Sequence, residues 1–130
     1  MQYPMGSRRA ITVRELDVYK KAFKSAMDIF AVSRNFPAEE KYSLTDQVRR
    51  SSRSICSNLS EAWRKRRYKA FFINKLSDCS SEAAETQTWL EFALECGYIN
   101  AKEFSAFDEK YEHIYAMLST MERKADEFCN

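Results

Sequence analysis

Apolar residues recur along this chain at alternating three- and four-residue steps in four long stretches, the spacing of amphipathic helices rather than of strands. The first predicted helix runs from Glu15 to Asn35, opened by a capping box of Thr12 and Glu15. Leu16, Tyr19, Phe23, Ala26 and Phe30 form the stripe expected to face a core, with Val18, Ala22 and Ile29 as a second, smaller apolar line. Phe36-Pro37 ends the helix, because the residue before proline is pushed out of the helical region. Residues 38–42 then read as a connection.

The second helix is predicted to start near Leu44, with Ser43 or Thr45 as its cap, and to turn Leu44, Val48, Ser52, Ile55, Leu59 and Ala62 inward, with Trp63 at the edge. At 100° per residue, Arg50, Arg53, Ser57, Ser60 and Arg64 then lie on the opposite side. The third helix, from about Tyr68 to Cys96, carries Ile73, Leu76, Ser80, Ala83, Gln87, Leu90 and Leu94 on its stripe and stops at Gly97, a residue free to take the left-handed C′ conformation. Asn100 and Glu103 form a second capping box. Phe104, Phe107, Tyr111, Ile114, Leu118, Met121, Ala125 and Phe128 continue the fourth stripe to the C-terminus. Three short connections between four such helices predict an all-α, up-down-up-down four-helix bundle over residues 15–130, with residues 1–14 a short disordered or extended lead.

Two Gly and two Pro in 130 residues cannot supply the turns that a sheet protein needs, which strengthens the helical reading. No apolar run approaches the roughly 18 residues of a membrane span, and the N-terminus has no apolar signal core. A cytoplasmic protein with no membrane partner is expected. Cys56, Cys79, Cys96 and Cys129 are widely spaced and the single histidine, His113, has no second ligand near it, so neither a metal site nor a cofactor is predicted. The cysteines read as reduced, small core residues. A di-iron centre would need Glu-x-x-His on two helices, and one histidine cannot provide them. Nor do the serines have a histidine–acid partner set, so the chain reads as non-enzymatic.

Charge changes the picture more. The chain is only +2 overall, yet residues 44–69 hold eight Lys/Arg against Asp46 and Glu61, a net of +6. Arg49, Arg50, Arg53, Arg64, Lys65, Arg66, Arg67 and Lys69 are the candidate phosphate-binding cations, and Tyr68 is the nearest aromatic that could stack on a base. No groove-reading motif accompanies them, so RNA or DNA would be bound with low sequence specificity. The competing reading assigns these cations to the dipole at a helix C-terminus and to acids on a neighbouring subunit.

Helices 1 and 3 also carry more apolar surface than one bundle stripe needs. Val18, Ala22 and Ile29, with Phe71, Trp89 and Phe92, are the candidate subunit interface of a homo-oligomer. Ser57, Asn58, Glu61, Glu85 and Gln87 are polar positions expected to fix register within or between subunits, with Glu61 and Glu85 each meeting an arginine of helix 2.

Leu16–Ala22 (LDVYKKA), Tyr42–Ser51 (YSLTDQVRRS), Ser57–Ala62 (SNLSEA), Glu85–Leu90 (ETQTWL) and Cys96–Ile99 (CGYI) together resemble the bacterial four-helix-bundle proteins related to the intervening-sequence protein of large-subunit rRNA genes. The accessory protein of diversity-generating retroelements is a more distant relative. The resemblance implies a protomer of a ring-shaped, pentameric homo-oligomer. It also implies association with nucleic acid, as an accessory to a processing partner such as a reverse transcriptase, and no enzymatic activity. One departure stands out: Ser60-Glu61-Ala62 and Trp63 replace the Ala-Glu-Gly of many relatives, so helix 2 is expected to continue further. Two functions follow from these readings: a nucleic-acid-binding oligomer, or a protein-interaction scaffold whose basic segment serves assembly only.

Overall fold

A computed structural model describes residues 12–129. Its four long helices are α1 (Asp17–Ser33), α2 (Asp46–Arg64), α3 (Lys69–Glu95) and α4 (Ala101–Arg123), and the described residues contain no strand. Each helix packs on two others, α1 on α2 and α4, and α3 on α2 and α4, which closes a four-helix bundle. Among the described residues, no helix is long and apolar enough to cross a membrane.

The termini follow local rules. A 3-10 turn, Val13–Glu15, precedes α1, so helix 1 starts two residues later than Glu15, and the expected lead overlaps an ordered turn at Val13 and Arg14. Residues 1–11 of that lead lie outside the described residues. The Thr12 N–H donates to Glu15 Oε1 at 3.3 Å, so the predicted pair serves the turn rather than α1. A 3-10 turn (Ala38–Glu40) and a π-helical turn (Lys41–Thr45) occupy the first connection and bring Leu44 and Thr45 into the core before α2 begins. Neither Ser43 nor Thr45 caps α2; Ser43 Oγ instead donates to Glu40 Oε1 at 2.6 Å.

At the end of α3, Gly97 takes φ +77°. The Gly97 N–H then donates to the Leu94 carbonyl (3.0 Å) and the Tyr98 N–H to Ala93 (2.9 Å), satisfying carbonyls that the helix end leaves open. The α4 cap forms as the residue types require: Glu103 N–H donates to Asn100 Oδ1 at 2.8 Å, and Asn100 N–H to Glu103 Oε1 at 2.9 Å.

The inward stripes of α2 and α4 are those predicted, apart from a half-buried Phe104. Those of α1 and α3 are not. In α1 the buried residues are Val18, Ala22, Ser25, Ala26, Ile29 and Ser33, while Phe23 is 52% exposed. The core face is therefore turned roughly 90° from the expected Tyr19–Phe23–Phe30 stripe at 100° per residue. Val18 and Ile29, taken as interface candidates, are fully buried inside one bundle and cannot meet another subunit. The reason is steric. The small side chains of this line let α1 lie against two neighbours, where a row of aromatics would hold it off.

In α3 the core line is Phe72, Leu76, Cys79, Ala83, Thr86, Leu90 and Ala93, about 50° from the one expected. Leu76, Ala83 and Leu90 belong to both. Thr86 enters the core because its hydroxyl lies 2.8 Å from both Ser51 Oγ and the Glu82 carbonyl, so its polarity is satisfied. Phe128, beyond α4, closes one end of the bundle against Phe72 and Trp63 (centroids 5.9 and 6.1 Å). At the other, Phe36 packs on Tyr98, whose hydroxyl donates to Glu40 Oε2 at 2.7 Å. All four cysteines are free; burial raises the Cys56 pKa to about 12 and that of Cys79 further, so both are neutral core residues.

Candidate nucleic-acid interface

The basic segment divides into two clusters about 20 Å apart along α2, at 1.5 Å per residue. The first surrounds Phe30. The guanidinium carbons of Arg49, Arg34 and Arg53 lie 4.7, 5.6 and 5.7 Å from its ring centroid. Arg49 Nε also donates to Ser33 Oγ at 2.8 Å, and Nη2 to the Phe30 carbonyl at 3.5 Å, which ties the first turn of α2 to the end of α1. Phe30, expected in the core, thus becomes a half-buried platform for cations. Arg50 is exposed beside this cluster, in a shallow groove with Asp46, Arg49, Arg53, Ser54 and Ser57.

The second cluster lies at the α2–α3 junction. Residue 62 is alanine, so α2 continues to Arg64, as the loss of the expected glycine predicts, and Arg64, Lys65, Arg67, Tyr68 and Lys69 emerge exposed around the turn. Arg66 is half-buried. Its guanidinium lies 4.2 Å from the Trp63 ring centroid and Nη1 donates to the Trp63 carbonyl at 2.9 Å. Arg67 covers Tyr68 at 4.9 Å, and Lys65 lies 5.2 Å from the Phe71 centroid. Lys69 pairs with Asp126 at 2.6 Å, the only ion pair in this cluster among the described residues, and that hydrogen bond raises its pKa.

The polar positions expected to fix register act within the chain. Lys75 of α3 meets Glu61 at 3.2 Å and donates to Asn58 Oδ1 at 3.2 Å, so Glu61 pairs with a lysine of α3 rather than an arginine of α2. Glu85 accepts from Trp89 Nε1 at 3.4 Å, again not from an arginine. Gln87 donates to Asp108 (3.0 Å) and Glu112 (2.8 Å) of α4. Ser57 is exposed and donates to its own helix, at the Ser54 carbonyl. Phe71 and Trp89 are half-buried, whereas Phe92 is 55% exposed and packs at a tilt against Trp89, with centroids 6.0 Å apart.

Sequence reasoning missed Arg14 and Arg34, which belong to no periodic stripe yet sit beside the arginines of α2. A cleft of about 620 Å³ is lined by Thr12, Val13, Arg14, Tyr19, Ser60, Trp63, Arg64 and Arg66. It joins the turn before α1 to the end of α2.

Against known proteins, the 23S rRNA-intervening sequence protein family matches residues 14–120, from the turn that lines this cleft through most of α4. The chain belongs to that family. A crystal structure of a protein with unknown function from the S23 ribosomal protein family of Bacteroides thetaiotaomicron is 29% identical, with a TM-score of 0.74 over 82% of this chain and 95% of that one. No curated protein matches the chain. The family match spans both basic clusters, so the Arg-rich end of α2 is part of the family domain and not an appendage.

Proposed function

We propose that this family member is a non-enzymatic, homo-oligomeric bundle that binds RNA or DNA through the α2–α3 junction, with low sequence specificity, as an accessory to a nucleic-acid-processing partner. One observation carries this reading: Arg64, Lys65, Arg66, Arg67 and Lys69 surround a single turn with an exposed tyrosine among them, and of the five only Lys69 is ion-paired among the described residues. Cations massed at this density bind phosphate by releasing counterions, and Tyr68 adds a stacking surface that is indifferent to base identity. The family's association with 23S rRNA intervening sequences agrees with an RNA ligand.

Assembly into a ring is the second part of the proposal. The outer face of α1 presents Lys20, Phe23, Lys24 and Met27, basic and apolar, while that of α3 presents Asp78, Glu82, Glu85, Trp89 and Phe92, acidic and aromatic. The two faces are complementary to each other and neither to itself. Such a contact is head-to-tail, and head-to-tail contacts close into a ring when the rotation between neighbours divides a full turn. A pentamer would repeat the basic junction five times on one assembly.

Light scattering at micromolar concentration, with retention of single-stranded RNA measured from about 50 to 200 mM salt, tests both parts. A multimer whose affinity falls steeply with salt is expected. A clean monomer sinks the ring. Loss of all retention at low salt leaves the scaffold reading, which the intrachain contacts of Arg66 and Lys69 favour.

A further inference from the structure

Resting on the nucleic-acid reading above, we infer that the cleft between the turn before α1 and the end of α2 is a phosphomonoester site, which takes the terminal phosphate of a nucleic-acid strand. Arg14, Arg64 and Arg66 all line it, with Ser60 and Tyr19, and none of its described lining residues is a carboxylate. The shallow groove at Arg49, Arg50 and Arg53 also has three arginines, but it is more open and contains Asp46.

Three guanidiniums around one cleft exceed what an internal phosphodiester, with a single charge, needs for neutralisation. A terminal monoester carries up to two charges at neutral pH and offers three acceptor oxygens. Arginine is suited to this because its planar fork donates to two oxygens at once.

Arg66 is already oriented for the task. Stacking on Trp63 holds the guanidinium plane, and the bond from Nη1 to the Trp63 carbonyl fixes its rotation. An arginine held before the ligand arrives loses less freedom on binding. The same bond removes an obstacle. The C-terminal carbonyls of a helix repel an anion, and here the Trp63 carbonyl is occupied twice, by Arg66 Nη1 and by the Arg66 N–H at 3.3 Å. Arg64 and Arg14 are exposed, and among the described residues neither is ion-paired, so their charge is available to the cleft.

Two single-stranded oligonucleotides of one sequence, 5′-phosphorylated and 5′-hydroxyl, each labelled at the 3′ end, test the site by fluorescence anisotropy at fixed salt. The intact protein should bind the phosphorylated strand about tenfold more tightly. Arg14→Gln should abolish that preference while still binding the 5′-hydroxyl strand, since Arg14 lies outside the junction cluster. Arg66→Lys, which keeps the charge and loses the planar fork, should cut the preference at least threefold. Equal binding of both strands by the intact protein overturns the inference and leaves the nucleic-acid reading standing. Binding of neither strand at low salt overturns both. Competition by inorganic phosphate at the concentration of the phosphorylated strand would assign the cleft to a free anion and overturn the strand-end reading.

Discussion

The cluster around Phe30 and the cluster at the α2–α3 junction draw on similar residues but use them differently. At Phe30, three guanidiniums converge on one ring and Arg49 is tied to Ser33, so much of that charge holds α1 to α2. At the junction, four of the five cations are exposed and only Lys69 has an acidic partner among the described residues. Counting positive residues therefore overstates the interface. What matters is how many cations retain donors that no part of the fold has already used.

The largest effect should come from the junction. Replacing Arg64, Lys65, Arg66 and Arg67 together with Gln should weaken RNA binding about a hundredfold or more near physiological salt and reduce the log–log salt slope by about 3. The melting temperature should fall by no more than a few degrees, because Arg64, Lys65 and Arg67 are exposed and only the half-buried Arg66 gives up a hydrogen bond as well as a ring contact. A binding loss matched by a loss of folding would erase the distinction between the two clusters.

Arg49→Met should do the reverse. It removes a charge-assisted hydrogen bond and a stacked cation, for a destabilisation of about 2 kcal/mol in urea unfolding. RNA affinity should fall by less than about threefold, the effect of one peripheral cation. A tenfold loss of affinity with unchanged stability would place Arg49 in the interface instead.

Smaller still is the effect of releasing Lys69. Asp126→Asn frees its ammonium and removes a like charge from the phosphate path, so affinity should rise about twofold at low salt and the gain should vanish at high salt. Stability should drop by no more than about 1 kcal/mol, as is usual for exposed pairs.

Asp28 supplies the baseline for a charge used wholly in folding. Burial opposes its ionisation, but hydrogen bonds from Lys24 (2.7 Å) and Lys110 (3.1 Å) outweigh it and lower its pKa, linking α1 to α4. A depressed carboxylate pKa stabilises the fold above the unfolded value of about 3.9, and the benefit is lost as pH falls through the folded pKa. Asp28→Asn should therefore melt up to about 4 °C lower than the native protein at pH 7, with no difference near pH 2 and no change in RNA binding at pH 7. A difference that persists in acid would mean that packing, rather than charge, is what Asp28 contributes.

Part of the candidate site was legible in advance because it is contiguous. Arg64 to Lys69 lie within six residues, and any fold that ends a helix near Arg64 exposes most of them. The cleft was not legible. Arg14, in the turn before α1, and Arg66, just past the end of α2, are brought together by the packing of α1 on α2, and no spacing along the chain encodes it. Glu61 illustrates the same limit: its charge predicted a partner of opposite sign, yet only the tertiary structure made that partner Lys75 of α3 rather than an arginine.

Four helices, their caps at Asn100 and Gly97, and the inner faces of α2 and α4 followed from the sequence alone. Hydrogen bonding and periodicity within twenty or thirty residues are local properties, and these two helices each have one dominant apolar line. On α1 and α3 two apolar lines compete, and hydrophobicity cannot rank a line of Val, Ala and Ile against one of Tyr and Phe. Close packing decided it: the smaller line fits between neighbours, which left Phe23 in solvent and made Phe30 a platform for arginines. Which apolar surface remains outside, and so is available to another subunit, was settled only when the helices were packed together.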